Sequence, residues 1–303
     1  GWGHPDSGQL AGIPAGDDFI AAQVTPGYSI ALRADGSIVV WGTPWNNDGF
    51  GLEADAPVGT GYVSIAAGNR HAVALHGDGS ITAWGDNSLG QLDNIPGGND
   101  FIAISAMSDF SLALRSDGSL AAWGFNYGNT VSTTPNGSGY TTISAGLNHG
   151  VAIRADGSLE VWGHDNYGLH TPPAGNDFVA IASGQDFSIA LRSDGSLEAW
   201  GDNQYGLISG LPGGNDFVAI ASGAHWALAQ RADGSLVGWG TEGRNELSDL
   251  PLDIGFIAFD AGGVSGLAIL GVEAQASAIP EPASLAVVGM AAAAMMAARR
   301  RRD

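Results

Sequence analysis

The chain has 303 residues, of which 48 are glycine and nine tryptophan, with 44% hydrophobic and 14% charged residues. That composition rules out a disordered chain, supplies apolar material for a large core, and is too rich in turn formers for an all-helical fold. Its 11 basic residues, all arginine, face 31 acids for a formal charge of −20, so a body repelled by phosphate backbones is excluded from sequence-independent nucleic-acid binding. The absence of cysteine removes disulfides, thiolate chemistry and cysteine-ligated zinc.

In chain order, Gly1-Trp2-Gly3 through Gln9-Leu10 matches Trp84 through Leu92, and the same unit then recurs along the chain. Asp-Gly-Ser begins at Asp35, Asp78, Asp117, Asp156, Asp194 and Asp233; Trp-Gly begins at Trp2, Trp41, Trp84, Trp123, Trp162, Trp200 and Trp239, at spacings of 38 to 43 residues. A period near 40 of short apolar runs between turn residues reads as one four-stranded propeller blade per repeat, since a lone blade cannot bury both its faces. In one unit, Phe178 to Ser183 is the predicted inner strand, Ser188 to Arg192 the second, Ser196 to Trp200 the third, and Tyr205 to Leu211 a weaker fourth. Asp-Gly between the second and third predicts a tight type I′ hairpin turn. A final strand pair, Phe256 to Leu270, has no Trp-Gly after it, and Gly1 to Leu10 can complete that unit. The prediction is an all-β, seven-bladed β-propeller over residues 1–271, its last blade closed by the N-terminus. Most of that blade's third strand would precede Gly1, and there is neither initiator methionine nor signal peptide, which reads as a fragment or processed chain.

The stretch Ala67-Gly-Asn-Arg-His71 through Asp78-Gly-Ser to Trp84-Gly-Asp-Asn-Ser-Leu-Gly-Gln-Leu92 resembles a regulator-of-chromosome-condensation repeat. The resemblance implies a seven-bladed propeller, and bacterial members include one that inhibits β-lactamases by covering them with one face. Such propellers serve many roles, so the fold does not assign a function.

Beyond a linker at 272–278, residues 279–303 form a separate module: Pro280-Glu281-Pro282, an apolar run, then Arg299, Arg300, Arg301 and Arg302. As a helix, Ala283 to Ala298 would be about 24 Å long, short of a hydrocarbon core of about 30 Å unless the arginines extend to the interface. Positive charge after the span predicts a cytoplasmic C-terminus with the propeller outside. This tail resembles the PEP-CTERM sorting signal of Gram-negative bacteria that make exopolysaccharide. The resemblance implies export, transient membrane anchoring, and cleavage near Pro280 by an exosortase.

Catalytic signals are sparse. The seven histidines, His4, His71, His76, His149, His164, His170 and His225, share no metal-ligand spacing and read as turn residues bonded to backbone. No Gly-x-Ser-x-Gly elbow supports a nucleophilic hydrolase. Asp17 with Asp18 and the Gly-Asn-Asp aspartates Asp100, Asp177 and Asp216 raise calcium, but turn chemistry accounts for them. No metal, cofactor or catalytic residue is expected.

Strand direction sorts the loops onto two faces. One holds the Asp-Gly turns, with Arg115 and Arg192 read as exposed beside them. The other holds Tyr28, His71, Phe110, His149, Phe187 and Trp226 at one repeat position, and Tyr127, Tyr167 and Tyr205 before a loop glycine. These aromatics read either as anchors of a surface that binds a protein or an exopolysaccharide, or as packing between blades. The functional expectation is a non-enzymatic binding module at the cell surface or in the extracellular matrix. The alternatives are a secreted protein inhibitor or a periplasmic hydrolase or lyase on a propeller scaffold.

Overall fold

A computed structural model describes residues 2–3, 12–42, 52–241, 247, 250, 256–261 and 265–270. The linker and sorting tail expected over 272–303, including the apolar helix, lie outside the described residues.

The described residues form seven antiparallel three-stranded sheets. Strand β1 (Trp2–Gly3) belongs with the end of the chain. Sheets then follow in order as β2 (Phe19–Val24), β3 (Ser29–Arg33) and β4 (Ile38–Trp41); β5 (Tyr62–Ala67), β6 (His71–His76) and β7 (Ile81–Gly85); and β8 (Phe101–Met107), β9 (Phe110–Arg115) and β10 (Leu120–Gly124). They continue as β11 (Tyr140–Ala145), β12 (His149–Arg154) and β13 (Leu159–Gly163); β14 (Phe178–Ser183), β15 (Phe187–Arg192) and β16 (Leu197–Gly201); and β17 (Phe217–Ser222), β18 (Trp226–Arg231) and β19 (Leu236–Gly240). The last sheet joins β20 (Phe256–Ala261) and β21 (Ser265–Leu270) to β1, with Trp2 opposite Gly266 and Gly3 opposite Ser265. The first strand of each sheet touches that of the next, and β20 touches β2, so the order closes on itself.

The core lies between sheets. Phe187, Ile189 and Leu191 of one sheet pack against Phe217, Ile220, Ala227 and Trp239 of the next, and Tyr28, Ile30 and Leu32 pack likewise against Ile65, Ala72 and Trp84. Small alanines on the second strands let neighbouring sheets approach, while the Trp-Gly tryptophans fill the outer space: Trp41, Trp84, Trp123, Trp162, Trp200 and Trp239 are all buried.

Two local expectations are corrected. The segment predicted as a fourth strand, 205–211, is a run of turns. The Asn203 side-chain oxygen accepts the N–H groups of Ile208 (3.0 Å) and Ser209 (2.9 Å), taking donors that a strand ladder would need. Its Leu207 nonetheless enters the core. The Asp-Gly turn is also different from type I′. Gly36 N–H bonds to Arg33 C=O (2.9 Å) and Arg33 N–H to Ser37 C=O (2.9 Å), while Ala34 and Asp35 keep negative φ and only Gly36 is left-handed, at +81°. This is the three-residue loop with a glycine bulge, whose left-handed position glycine fills without steric cost. A Cβ on Gly36 would also lie 2.4 Å from the backbone nitrogen of Gly61 in the next unit. The aspartate is retained because its carboxylate accepts the N–H of the serine two residues on, as Asp35 does from Ser37 (2.8 Å). That bonding holds the fully exposed carboxyls of the repeated turns below the usual carboxylate range.

Candidate functional site

The two-face arrangement follows directly from the backbone. In five units the residue after Trp-Gly bonds to the residue just before the second strand: Asp86 N–H to Arg70 C=O (2.9 Å), Phe125 to Asp109 (2.9 Å), His164 to Asn148 (2.8 Å), Asp202 to Asp186 (2.8 Å) and Thr241 to His225 (3.1 Å). On the opposite face, the glycine of five hairpin turns accepts from the start of the next inner strand, as Gly79 does from Phe101 (3.1 Å) and Gly118 from Tyr140 (3.0 Å).

The ring of six expected on the first face is interior. Tyr28, Phe110, Phe187 and Trp226 are each 1% exposed, and His71 and His149 are 0% exposed, so none of the six offers a side chain to a ligand. They join neighbouring sheets instead. Tyr28 donates its hydroxyl toward the carbonyls of Gly68 (3.0 Å) and His71 (2.7 Å). His71 Nε2 shares a hydrogen bond with Ser111 Oγ, and His149 Nε2 with Ser188 Oγ, both at 2.8 Å. Neither histidine is therefore a turn residue bonded to backbone. Burial pushes the imidazoles down to about 4 at His71 and about 3 at His149, and raises the Tyr28 phenol. Glycine three residues earlier makes room for the ring: a Cβ on Gly184 would lie 2.0 Å from Phe187 Cε1, and one on Gly146 2.1 Å from His149 Cε1.

What the face does expose lies farther out. Leu89, Phe125, Tyr127 and Tyr167, 40% to 62% exposed, are four of the seven exposed large hydrophobic residues among the described residues. Tyr127 stacks with Phe125 (centroids 6.2 Å apart) and leans on His164 (5.8 Å), while half-buried Tyr205 lies against His225 at 4.1 Å. Asp186 links the two groups. Burial and then the charge of Asp202 push its carboxyl up, against the pull of His225 and His164. Burial lowers the His225 imidazole, against the pull of the same two carboxylates. Gly128 packs closely on His164 at one edge, where a Cβ would lie 2.5 Å from His164 Cβ. Nearby acids are already engaged: Asp86 pairs with Arg70 (3.8 Å), Asp109 accepts from Gln91 Nε2 (3.0 Å), and Asp165 accepts the N–H of His170 (3.0 Å).

Of the nine aromatic and histidine residues expected at the site, the structure thus leaves Tyr127 and Tyr167 exposed and Tyr205 partly so. Phe125, His164 and His225 were missed, although each occupies a fixed repeat position, directly after Trp-Gly or directly before the second strand.

The opposite face is occupied by structural pairs. Arg33, Arg115, Arg192 and Arg231 lie 4.1 to 4.5 Å over the rings of Phe19, Phe101, Phe178 and Phe217 and pair with Asp18, Asp100, Asp177 and Asp216. In these four sheets a bulge after the first residue of the inner strand sets that aromatic opposite the arginine. The Gly-Asn-Asp aspartates are therefore ion-pair partners as well as turn residues, and Arg115 and Arg192 are clasps. Among the described residues no three histidines or acids are grouped to hold a metal ion.

Comparison with known proteins agrees with this architecture. Residues 62–91 and 178–207 match the family described as regulator of chromosome condensation (RCC1) repeat. Prp20p from Saccharomyces cerevisiae is similar with a TM-score of 0.66 and 19% identity, covering 84% of this chain and 83% of Prp20p. The chain folds as a β-propeller similar to that of RCC1-repeat proteins. Human WBSCR16 (TM-score 0.66, 17% identity, 86% and 88% coverage) and the CRINKLY WD40 ectodomain of the Arabidopsis thaliana receptor kinase ACR4 (0.63, 19%, 84% and 92%) share the propeller fold. No curated protein matches the sequence. The Prp20p structure is described together with that protein's binding to Gsp1p and histones.

Proposed function

We propose that this propeller is a non-enzymatic binding module whose partner is a protein, seated on the face that carries Phe125, Tyr127, His164, Tyr167, Asp186, Asp202, Tyr205 and His225. The observation that carries this reading is the concentration of exposed aromatic surface there, because aromatic anchors ringed by polar groups dominate protein contacts. The protein binding named for Prp20p supports a protein partner. An exopolysaccharide would use the same rings as stacking platforms.

In this reading the seven sheets are the seven blades, and Pro280-Glu281-Pro282 with Arg299 to Arg302 directs the chain through an exosortase to the cell surface or matrix. No helix among the described residues is long and apolar enough to cross a membrane, and the tail lies outside them.

The test captures ligands from an envelope extract, identifies them by mass, and measures each against wild type and the double variant Tyr127→Ala, Tyr167→Ala. Loss of affinity of about 2 kcal/mol or more for a purified protein supports the assignment. Unchanged affinity refutes the face, and binding of purified glycan alone refutes the protein partner. Intact mass of the surface form tests processing: retention of Arg299 to Arg302 would refute it.

A further inference from the structure

The inner strands enclose a central channel of about 640 Å³ walled by residues of all seven sheets. Near the mouth on the candidate face, the fifth residue of an inner strand reaches across to the backbone of the next. Gln23 Oε1 accepts from Ala67 N–H (2.7 Å), Ser105 Oγ from Ala145 (2.9 Å), Ser144 Oγ from Ser183 (3.0 Å), and Asp260 Oδ2 from Val24 (2.8 Å).

Three of these clasps are neutral, which shows that the clasp itself does not require a charge. Asp260 is nonetheless a carboxylate, and among the described residues it is the sole charged or titratable side chain lining the channel. Burial pushes its carboxyl up to about 6, opposed by the N–H groups of Val24 and Ala261. In its ionised form this half-buried carboxylate has no counter-charge among the described residues that line the channel, which is costly. An anion is repelled there. A divalent cation needs more oxygen ligands than one carboxylate supplies, and a guanidinium asks for both carboxylate oxygens, one of which Val24 already occupies. The remaining wall combines Ile65, Ile104, Ile220 and Ala182 with the hydroxyls of Ser183 and Ser222.

We propose that the channel binds a primary ammonium on a slim aliphatic stem, with Asp260 as its counter-ion and the isoleucine and alanine wall around the stem. A free alkylamine and a lysine side chain of a protein on the candidate face share this chemistry.

The test is calorimetric titration of the full chain at pH 7.5 with pentylammonium, with the neutral isostere pentanol, and with a lysine peptide blocked at both ends. Asp260→Asn keeps an oxygen acceptor for Val24 and removes the charge; Asp260→Ser, the residue used at this position by two other sheets, replaces it should the first variant fail to fold. Saturable binding of pentylammonium that falls at least tenfold in the variant, and falls in wild type as the pH is lowered through about 6, supports the site. Peptide binding as well assigns access to a protein-borne lysine, and its absence assigns the site to free amines. Equal binding of pentanol, equal binding to the variant, or no binding of either ammonium probe overturns it.

Discussion

Truncating Phe187 to alanine separates interior packing from ligand contact at the repeat position shared by Tyr28, His71, Phe110, His149 and Trp226. Phe187 is 1% exposed and packs in a cluster with Leu207, Ile220 and Trp239. Emptying a buried phenylalanine site costs about 3 to 5 kcal/mol when the surroundings cannot collapse. Collapse is limited here because one side of the ring rests on the backbone of Gly184, which has no side chain to move into the space. At about 2 to 3 °C per kcal/mol for a domain of this size, the melting temperature should fall by roughly 6 to 15 °C. Tyr167, 62% exposed, is the matched control, and Tyr167→Ala should change stability by no more than about 0.5 kcal/mol. Urea and thermal unfolding followed by tryptophan fluorescence and circular dichroism measure both. A Phe187→Ala protein that melts within 2 °C (about 1 kcal/mol) of wild type would refute the interior assignment.

The tryptophans and the buried histidines supply two further expectations. Trp200 Nε1 donates to Leu169 C=O at 3.0 Å, whereas the buried Trp123 Nε1 has no partner among the described residues, so Trp200→Phe should cost about 1 kcal/mol more than Trp123→Phe in urea unfolding; equal costs would contradict the bonding. His149 titrates near 3 when folded, below its ordinary 6.5, so its contribution is full above pH 6.5 and is lost as the pH falls toward 3. Replacing it by phenylalanine together with Ser188→Ala, the pairing that Phe187 makes with Ala227, should therefore flatten the decline in stability between pH 7 and pH 5, and an unchanged slope would exclude a neutral buried imidazole.

Much of the fold was legible because the repeat exposes its own punctuation. Phe178 to Ser183 has the bounds predicted for it, and the pairing of Trp2 with Gly266 places the N-terminal Trp-Gly in the last sheet as its match to Trp84-Gly suggested. Periodicity could not show which side of a strand end faces a neighbour. Position 187 starts a strand beside a loop, a place that a single sequence assigns equally well to surface or interior, and burial there depends on the adjoining sheet. The turn type failed for a related reason: Asp-Gly fits type I′, but the bond from Arg33 N–H to Ser37 C=O selects the longer loop. The arginine clasps did leave a signal, an aspartate 15 residues before an arginine in four units, as in Asp100 and Arg115. It becomes meaningful only when the inner and second strands are paired.

The variety at the ring position is itself ordered. His71 and His149 face Ser111 and Ser188, each the second residue of the next sheet's middle strand. At that second position, Tyr28, Phe110, Phe187 and Trp226 are followed by Ala72, Gly150, Ala227 and Gly266. An imidazole needs a hydroxyl to satisfy its nitrogen, while a larger ring needs an alanine or a glycine for space, so the two positions vary together. The closing junction breaks the rule. Ser265 holds the ring position of the last sheet in the sequence, and the buried hydroxyl of Ser29, where a histidine's partner would be, has no partner among the described residues. That junction has the bond from Val24 N–H to Asp260 and the pairing of β1 with β21. Closure of the ring thus rests on backbone pairing, on the same kind of side-chain clasp that Gln23, Ser105 and Ser144 make elsewhere, and on Leu267 packed against Val24, Ala31 and Trp41, without the aromatic or imidazole ring found at the other junctions.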